Sequence, residues 1–272
     1  MSNGILCFAN NNDQINYIRQ AEKLAGRVKK FLNLPTSIVT ATPELADKKI
    51  FDKIISSNDL AENYKRYYDG DVSYRNLSFN NFGRHNAFEL TPYDKTIVLD
   101  TDYIICNDIF SKAFEQPNDF LIYKHGTDLA GWRHHPEFDY INNKGIPFYW
   151  ATAFYFEKTE NVKIFFDLLN NLIKDWDYYK TVFDIGARNF RNDHAFSMAI
   201  HYMNGFVDSD WAKPMPGTMY YTLDRDKLCI MKDTELQFLL AKENKNGEYI
   251  LAKTKDQNVH VMNKFSLERC YG

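Results

Sequence analysis

The sequence predicts an α/β fold, and three observations carry that prediction. Residues 5–9 (ILCFA), the helical stretch after them and residues 36–40 (TSIVT) make a strand–helix–strand opening of the kind that pairs in parallel. Residues 96–99 (TIVL) are a short apolar run, β-branched apart from Leu99, that ends in Asp100-Thr101-Asp102. Beyond Pro214 the pattern breaks into short strand-like runs, which predicts a β-rich final section.

Each element has a local reason. Asn10-Asn11-Asn12-Asp13 offers N-cap side chains, and Ile15, Ile18, Ala21, Leu24, Ala25, Val28, Phe31 and Leu32 then recur at helical spacing until Pro35. Residues 49–56 (KIFDKIIS) are expected to form a third strand. Residues 58–92 are polar and aromatic, with weak helical periodicity over 84–90. Residues 120–123 (FLIY) and 152–156 (TAFYF) are strands, and 124–148 between them is expected to be a long functional loop. Thr159-Glu160 opens an amphipathic helix carrying Val162, Phe165, Phe166, Leu169, Leu172, Ile173 and Trp176. Asn192-Asp193 opens another, with Phe196, Ala199, Ile200 and Met203 on one face. Residues 219–223, 228–231, 237–242, 249–253 and 258–262 are short strands, with Lys245-Asn246-Gly247 as a hairpin turn. No repeat, low-complexity tract or linker interrupts the chain. We therefore expect one domain over 1–272, with a first half at 1–123 and a second at 124–272.

Composition narrows the classes. The 272 residues include 33 basic and 36 acidic ones, a net charge of −3. That balance gives no global positive field to favour nucleic acid or an anionic membrane. Cys7, Cys106, Cys229 and Cys270 form no C-x-x-C pair, which argues against a zinc knuckle or disulfide framework and fits a reducing compartment. The N-terminal residues have neither a basic region nor a long apolar run, so neither a signal peptide nor a membrane span is expected, and the location expected is cytoplasmic. The abundance of Asn, Lys, Tyr and Phe suggests an AT-rich genome, bacterial or viral.

The acid pair holds the chemistry. On extended backbone Asp100 and Asp102 face the same way. Ligand crevices of open α/β sheets lie outside the carboxyl ends of the strands. Two hard oxygen donors there suit a divalent cation that also holds a phosphate. The plain alternative is a solvated strand end with two surface acids.

The order of features resembles glycosyltransferases of the GT-A fold, and family 8, the glycogenin-like and galactosyltransferase-like enzymes, in particular. Four pieces spanning roughly residues 5–265 carry the resemblance. They are ILCFA with its Asn-rich turn, the run Tyr93 to Asp102 (YDKTIVLDTD), the run Trp150 to Phe156 (WATAFYF) followed by Asn192-Asp193-His194, and Val259-His260-Val261-Met262-Asn263-Lys264. The resemblance implies a single Rossmann-like nucleotide-diphospho-sugar transferase domain with a mixed central sheet and a β-rich C-terminal elaboration. It implies Mn²⁺ or Mg²⁺ held by Asp100, Asp102 and His260, and a sugar nucleotide as donor. Ala9, Asn10, Arg84, Asp100, Thr101, Trp150, Ala151, Thr152 and Lys264 would contact that donor, and Asp193 would be catalytic. The chain lacks the family's full His-x-x-Gly-x-x-Lys-Pro-Trp string, a departure that falls on Lys264 more than on His260.

The chemistry needs these residue types. A metal bridging the diphosphate acts as a Lewis acid, one imidazole biases the site toward Mn²⁺, and Arg84, Arg133 and Lys264 are the candidate counter-charges. Other readings stand beside these. Asp193 at a helix start reads as an N-cap that can also reach the sugar. His125, His134 and His135 read as loop histidines, and Trp132, Trp150 and Trp211 as core aromatics or stacking platforms. The acceptor is a glycan, a protein or, in a virus, a modified DNA base, which the net charge does not favour. The rival functions are a non-catalytic binding or structural protein and a phosphatase of the haloacid dehalogenase type. The phosphatase would need a later Gly-Asp-x-x-x-Asp motif, which is absent.

Overall fold

The computed structural model describes residues 1–57, 64–81, 83–186, 190–207, 209–243 and 245–272. Its opening is β1 (Asn3–Phe8), α1 (Tyr17–Phe31) and β2 (Thr36–Thr40), with β1 and β2 parallel. The Asn16 side chain caps α1 by accepting from Arg19 N–H, and the helix buries Ile18, Leu24 and Val28 against the sheet. Each such side chain contributes about 1.5–3 kcal/mol on burial. Gly4 sits where β1 passes Tyr93, and a Cβ there would lie 2.4 Å from that ring.

The third strand is shorter than the sequence suggested. Asp47 accepts from Lys49 N–H through its side chain and from Ile50 N–H through its carbonyl. That turn takes the front of the expected strand and leaves β3 as Ile54–Ser56. Next comes an antiparallel hairpin, β4 (Tyr64–Tyr68) and β5 (Tyr74–Ser78), in a stretch where no strand was expected. A 3₁₀ turn at Gly83–Asn86 leads into α2 (Ala87–Leu90), where the weak helical periodicity lies.

The chain continues through β6 (Lys95–Leu99), β7 (Tyr103–Ile104), β8 (Phe120–Tyr123), β9 (Thr127–Asp128) and β10 (Trp150–Glu157). The segment 124–148 is thus not a bare loop: it contains β9 and a 3₁₀ turn at Pro136–Phe138, and it buries Ile141, Ile146 and Phe148. Thr159 caps α3 (Glu160–Lys174), and the chain breaks at Asp175 before α4 (Trp176–Val182). After α5 (Asn192–Met203) come β11 (Tyr220–Thr222), β12 (Lys227–Lys232), β13 (Glu235–Ala241), β14 (Tyr249–Lys255) and β15 (Val259–Val261). A helix not anticipated from the sequence, α6 (Lys264–Tyr271), follows them.

The fold is mixed α/β. The central sheet has six strands in the order β3-β2-β1-β6-β10-β8. Its first four are parallel, and β10 runs antiparallel between β6 and β8. The β-rich C-terminal section divides. β12, β13 and β14 form an antiparallel meander, whereas β11 and β15 return to pair with β9 and β7 in a four-stranded sheet. An aromatic core fills the space behind β10: Phe154 lies 4.9 Å from Phe196, and Trp211 stacks on Phe120 and Phe165 at 4.9 and 5.1 Å. Among the described residues no helix is long and apolar enough to cross a membrane.

Candidate functional site

A cleft of about 770 Å³ opens at the carboxyl ends of β1 and β6 and the start of β10. The β4–β5 hairpin forms one wall; the C-terminal meander and the 124–148 segment form the other. Asp100, Asp102, His260, Arg84 and Lys264 all line it.

The acid pair converges by a turn rather than by strand alternation. β6 ends at Leu99, Asp100 N–H donates to Thr152 O (2.9 Å), and Tyr103 N–H donates back to Asp100 O (3.2 Å). This corrects the extended-backbone expectation. The bond to β10 extends the sheet pairing as far as Asp100, and the Tyr103 N–H bond closes the turn after it. β15 then brings the third donor. Val261 N–H donates to Asp102 O (3.0 Å), His260 pairs with Tyr103, and the two rings stack at 5.1 Å.

Donor atoms of Asp100, Asp102 and His260 lie within 4.8 Å of one another. Asp102 and His260 are buried, at 1% and 4% exposure, and His260 Nε2 is 3.1 Å from Asp102 Oδ2. The other ring nitrogen, Nδ1, is buried with no partner. Moving the imidazole proton from one nitrogen to the other therefore breaks no second bond. Burial, opposed by Asp100 and Asp193, pushes the His260 imidazolium down to about 4, so the ring is neutral near pH 7. A neutral imidazole beside two carboxylates is a donor set that fits a divalent cation.

Two cations sit on those carboxylates. Arg84 pairs with Asp100 and Lys264 with Asp102. Lys264 is the first residue of α6, whose cap Asn263 accepts from Ser266 N–H. Burial, then the neighbouring Lys65 and Arg84, push the Lys264 ammonium down to about 7, against the pull of Asp100. Arg84 comes from the 3₁₀ turn before α2.

The remaining candidates divide. Thr101 is buried and donates to Gln20 Oε1 (3.4 Å). Trp150 and Thr152 line the cleft, and the indole Nε1 and the Thr152 hydroxyl have no hydrogen-bond partner. Asp193 lines it too, but is not the N-cap; Arg191 occupies that position. The Asp193 carboxylate accepts from Ala151 N–H and from Arg191 Nη2, both at 3.0 Å. Burial alone would raise its pKa, yet Arg191 and Arg84 outweigh that and hold it below the usual carboxylate range. Ala151 acts through this backbone bond and is outside the cleft lining, as are Ala9 and Asn10. Asn10 braces the end of β1: its N–H donates to Asn81 Oδ1, and its own side chain accepts from Ala41 N–H (2.8 Å).

Arg133, a candidate for the diphosphate, is committed elsewhere. Its guanidinium makes four bonds of 2.7–2.8 Å to Asp128 and Asp226 and a fifth to Ala241 O. It ties the 124–148 segment to the meander, and its fork has no donor left for a phosphate. His135 joins the same network at 3.0 Å from Asp128, and exposed His134 is 3.4 Å from Asp139. Trp211 is a core aromatic, while Trp132 is exposed. The sequence reading missed Lys65, Arg191 and Asp224 in the cleft wall. Lys65 lies on the hairpin, where the sequence signalled no strand, and Arg191 directly precedes α5.

No protein-family model matches the chain, and no curated protein matches it. Solved structures do match, and those that follow are glycosyltransferases. The chain is similar to the glycosyltransferase GlyE of Streptococcus pneumoniae TIGR4 at 13% identity and a TM-score of 0.45, over 79% of this chain and 45% of that one. It is similar to the galactosyltransferase LgtC, in complex with donor and acceptor sugar analogs, at 10% identity and a TM-score of 0.43, over 80% and 73%. A match to the bifunctional glycosyltransferase WbbM has 15% identity and a TM-score of 0.39, over 67% and 37%. The chain thus spans less than half the length of the GlyE and WbbM chains.

Proposed function

We propose that this chain is a metal-dependent glycosyltransferase that moves a sugar from a nucleotide-diphosphate sugar to an acceptor. The observation that carries the reading is the convergence of Asp100, Asp102 and His260, with Arg84 and Lys264 on the same two carboxylates. These three donors would hold Mn²⁺ or Mg²⁺. The cation, when bound, supplies Lewis-acid stabilisation to the departing diphosphate.

The chain's own residues do the rest. Arg84 and Lys264, released from the carboxylates, would turn to phosphate oxygens, the first as a fork and the second as a point charge. Asp193 stays ionised and is fixed by Ala151 N–H and Arg191, which suits a carboxylate that contacts the donor sugar or the acceptor. Thr152 and Trp150 add unpartnered polar atoms along the same wall.

The experiment is a thermal-shift panel of nucleoside diphosphates and sugar nucleotides, with and without Mn²⁺. A ligand that binds only the native state at a hundredfold excess over its Kd stabilises it by about 2.7 kcal/mol. A Mn²⁺-dependent shift with one nucleotide supports the reading and names the donor base. A folded protein that responds to none of them overturns it in favour of a non-catalytic role.

A further inference from the structure

The start of β10 is not held by strand pairing alone. Its register against β8 shifts between Trp150 and Phe154. Beside that irregularity, side chains of α5 accept the backbone bonds. Tyr149 N–H donates to Ser197 Oγ (2.8 Å), and Ala151 N–H donates to Asp193 Oδ1 (3.0 Å). Asp193 and Ser197 are four positions apart, so they share one face of the helix. Two side chains of that face thus act as partners for residues 149–151.

The Ser197 side chain is fully buried, and its hydroxyl is used twice. It accepts from Tyr149 N–H and donates to Asp193 O (2.7 Å). A closed ring results: Ser197 to Tyr149, along the chain to Ala151, across to the Asp193 carboxylate, and back through the Asp193 carbonyl to Ser197. A serine that bonds the carbonyl one turn back adds nothing to helix stability by itself. The rest of the buried face is mostly apolar, and Phe196 packs on Phe154 and Phe165 at 4.9 and 5.7 Å. Apolar contact holds α5 against the sheet without fixing how it is turned. The two hydroxyl bonds are directional, and they fix it.

This ring reaches the acid pair. Ala151 holds Asp193, and the next residue, Thr152, accepts from Asp100 N–H through its carbonyl (2.9 Å). Asp193 and Asp100 are therefore anchored to consecutive residues of β10. Resting on the glycosyltransferase reading above, we propose that Ser197 is a positioning residue, which locks the first turn of α5 to the start of β10 and so sets the Asp193 carboxylate in place relative to Asp100. Ser197 is outside the cleft lining, so it acts through Asp193 and not on a substrate.

The test compares full-length wild type, Ser197→Ala, Asp193→Asn and the double variant. Alanine is the best helix former and is smaller than serine, so α5 keeps its fold. Amide exchange read by NMR is the first arm. Ser197→Ala removes the acceptor of Tyr149 N–H directly, so Ala151 N–H, whose own partner is untouched, is the diagnostic. It should exchange about tenfold faster or more, while amides of β1 keep their rates. An unchanged rate at Ala151, or an equal acceleration in β1, overturns the proposal. The second arm is Mn²⁺-dependent release of nucleoside diphosphate from UDP-glucose, UDP-galactose and GDP-mannose. In Ser197→Ala, kcat should fall about tenfold or more with KM within about twofold of wild type. In the Asp193→Asn background the same change should cost nothing further. Unchanged kcat, or losses that add in the double variant, overturn the role through Asp193. A wild type that releases nucleoside diphosphate from none of the three counts against the transferase reading, and exchange at Ala151 then decides the clamp alone.

Discussion

The ammonium of Lys264 lies against the carboxylate of Asp102, 162 positions earlier in the chain. The Asp102 side chain is buried, at 2% exposure, and that of Lys264 is partly buried, at 12%. The contact joins the first turn of α6 to the turn after β6, so the final helix and the acid pair are fixed together. A divalent cation on Asp102 would compete with the Lys264 ammonium for the same oxygen.

That competition predicts a stability crossover. Lys264→Met leaves Asp102 without its cation and should cost about 3 kcal/mol in metal-free buffer. Saturating Mn²⁺ should shrink the difference, because the metal then balances Asp102. Urea unfolding of both proteins, with and without Mn²⁺, measures it. An equal deficit in both buffers would show that Asp102 does not bind the metal.

Asp102→Asn keeps the side-chain volume and removes the charge. Mn²⁺ affinity should fall about tenfold or more. Sugar transfer should fall on the order of 100-fold or more, since the Lewis-acid contribution amounts to several kcal/mol. Full transfer activity in a folded Asp102→Asn protein would refute the metal assignment.

Arg133 predicts a purely structural phenotype. Arg133→Leu leaves Asp128 and Asp226 buried without a cation and should cost about 3–5 kcal/mol. Arg133→Lys should recover only part of that, because an ammonium cannot fork to two carboxylates. The acid limb tests the same clamp. Burial would raise Asp128, but Arg133, the Ala130 N–H and His135 outweigh it and hold the carboxyl below its ordinary range. A depressed carboxylate stabilises the fold above its unfolded pKa of about 3.9, and that stabilisation is lost as pH falls through the lower folded value. Chemical denaturation at pH 7 and pH 3 should show this loss in wild type and its reduction in Arg133→Leu.

His194 predicts a second pH effect, in a different window. Burial, helped by Arg191, pushes its imidazolium down to about 4. The unfolded chain, with a histidine pKa of about 6.5, binds the proton first, so stability is full above that pH and falls as pH drops toward 4. The contribution is up to about 3 kcal/mol. His194→Gln should flatten the stability profile between pH 6.5 and pH 4.

The sequence made the central sheet legible because its strands carry their own signal. Residues 36–40 are the whole of β2, and TIVL lies within β6. The acid pair and His260 were also within reach, although only the pairing of β15 with β7 shows how a residue so late in the chain arrives beside Asp102. The β4–β5 hairpin escaped because its inward face mixes Lys65 with Tyr67, so no apolar alternation marks it. A signal was present in Asp69-Gly70, a turn dipeptide between two tyrosine-rich runs, and Gly70 does adopt a positive φ of 85°. Arg133 misled for a physical reason: its partners, Asp128 and Asp226, are far apart in sequence, and a buried clamp and a phosphate ligand look alike in one dimension.

β10 runs against β6, so its first residues, not its last, stand beside Asp100. A strand inserted in the parallel sense would have delivered the following segment to this rim. The reversed one delivers the preceding segment, 124–148. The two walls of the cleft are therefore built from pieces of chain that do not share a connection. Changes of length or composition in 124–148 can remodel one wall without disturbing the β1–β6 framework.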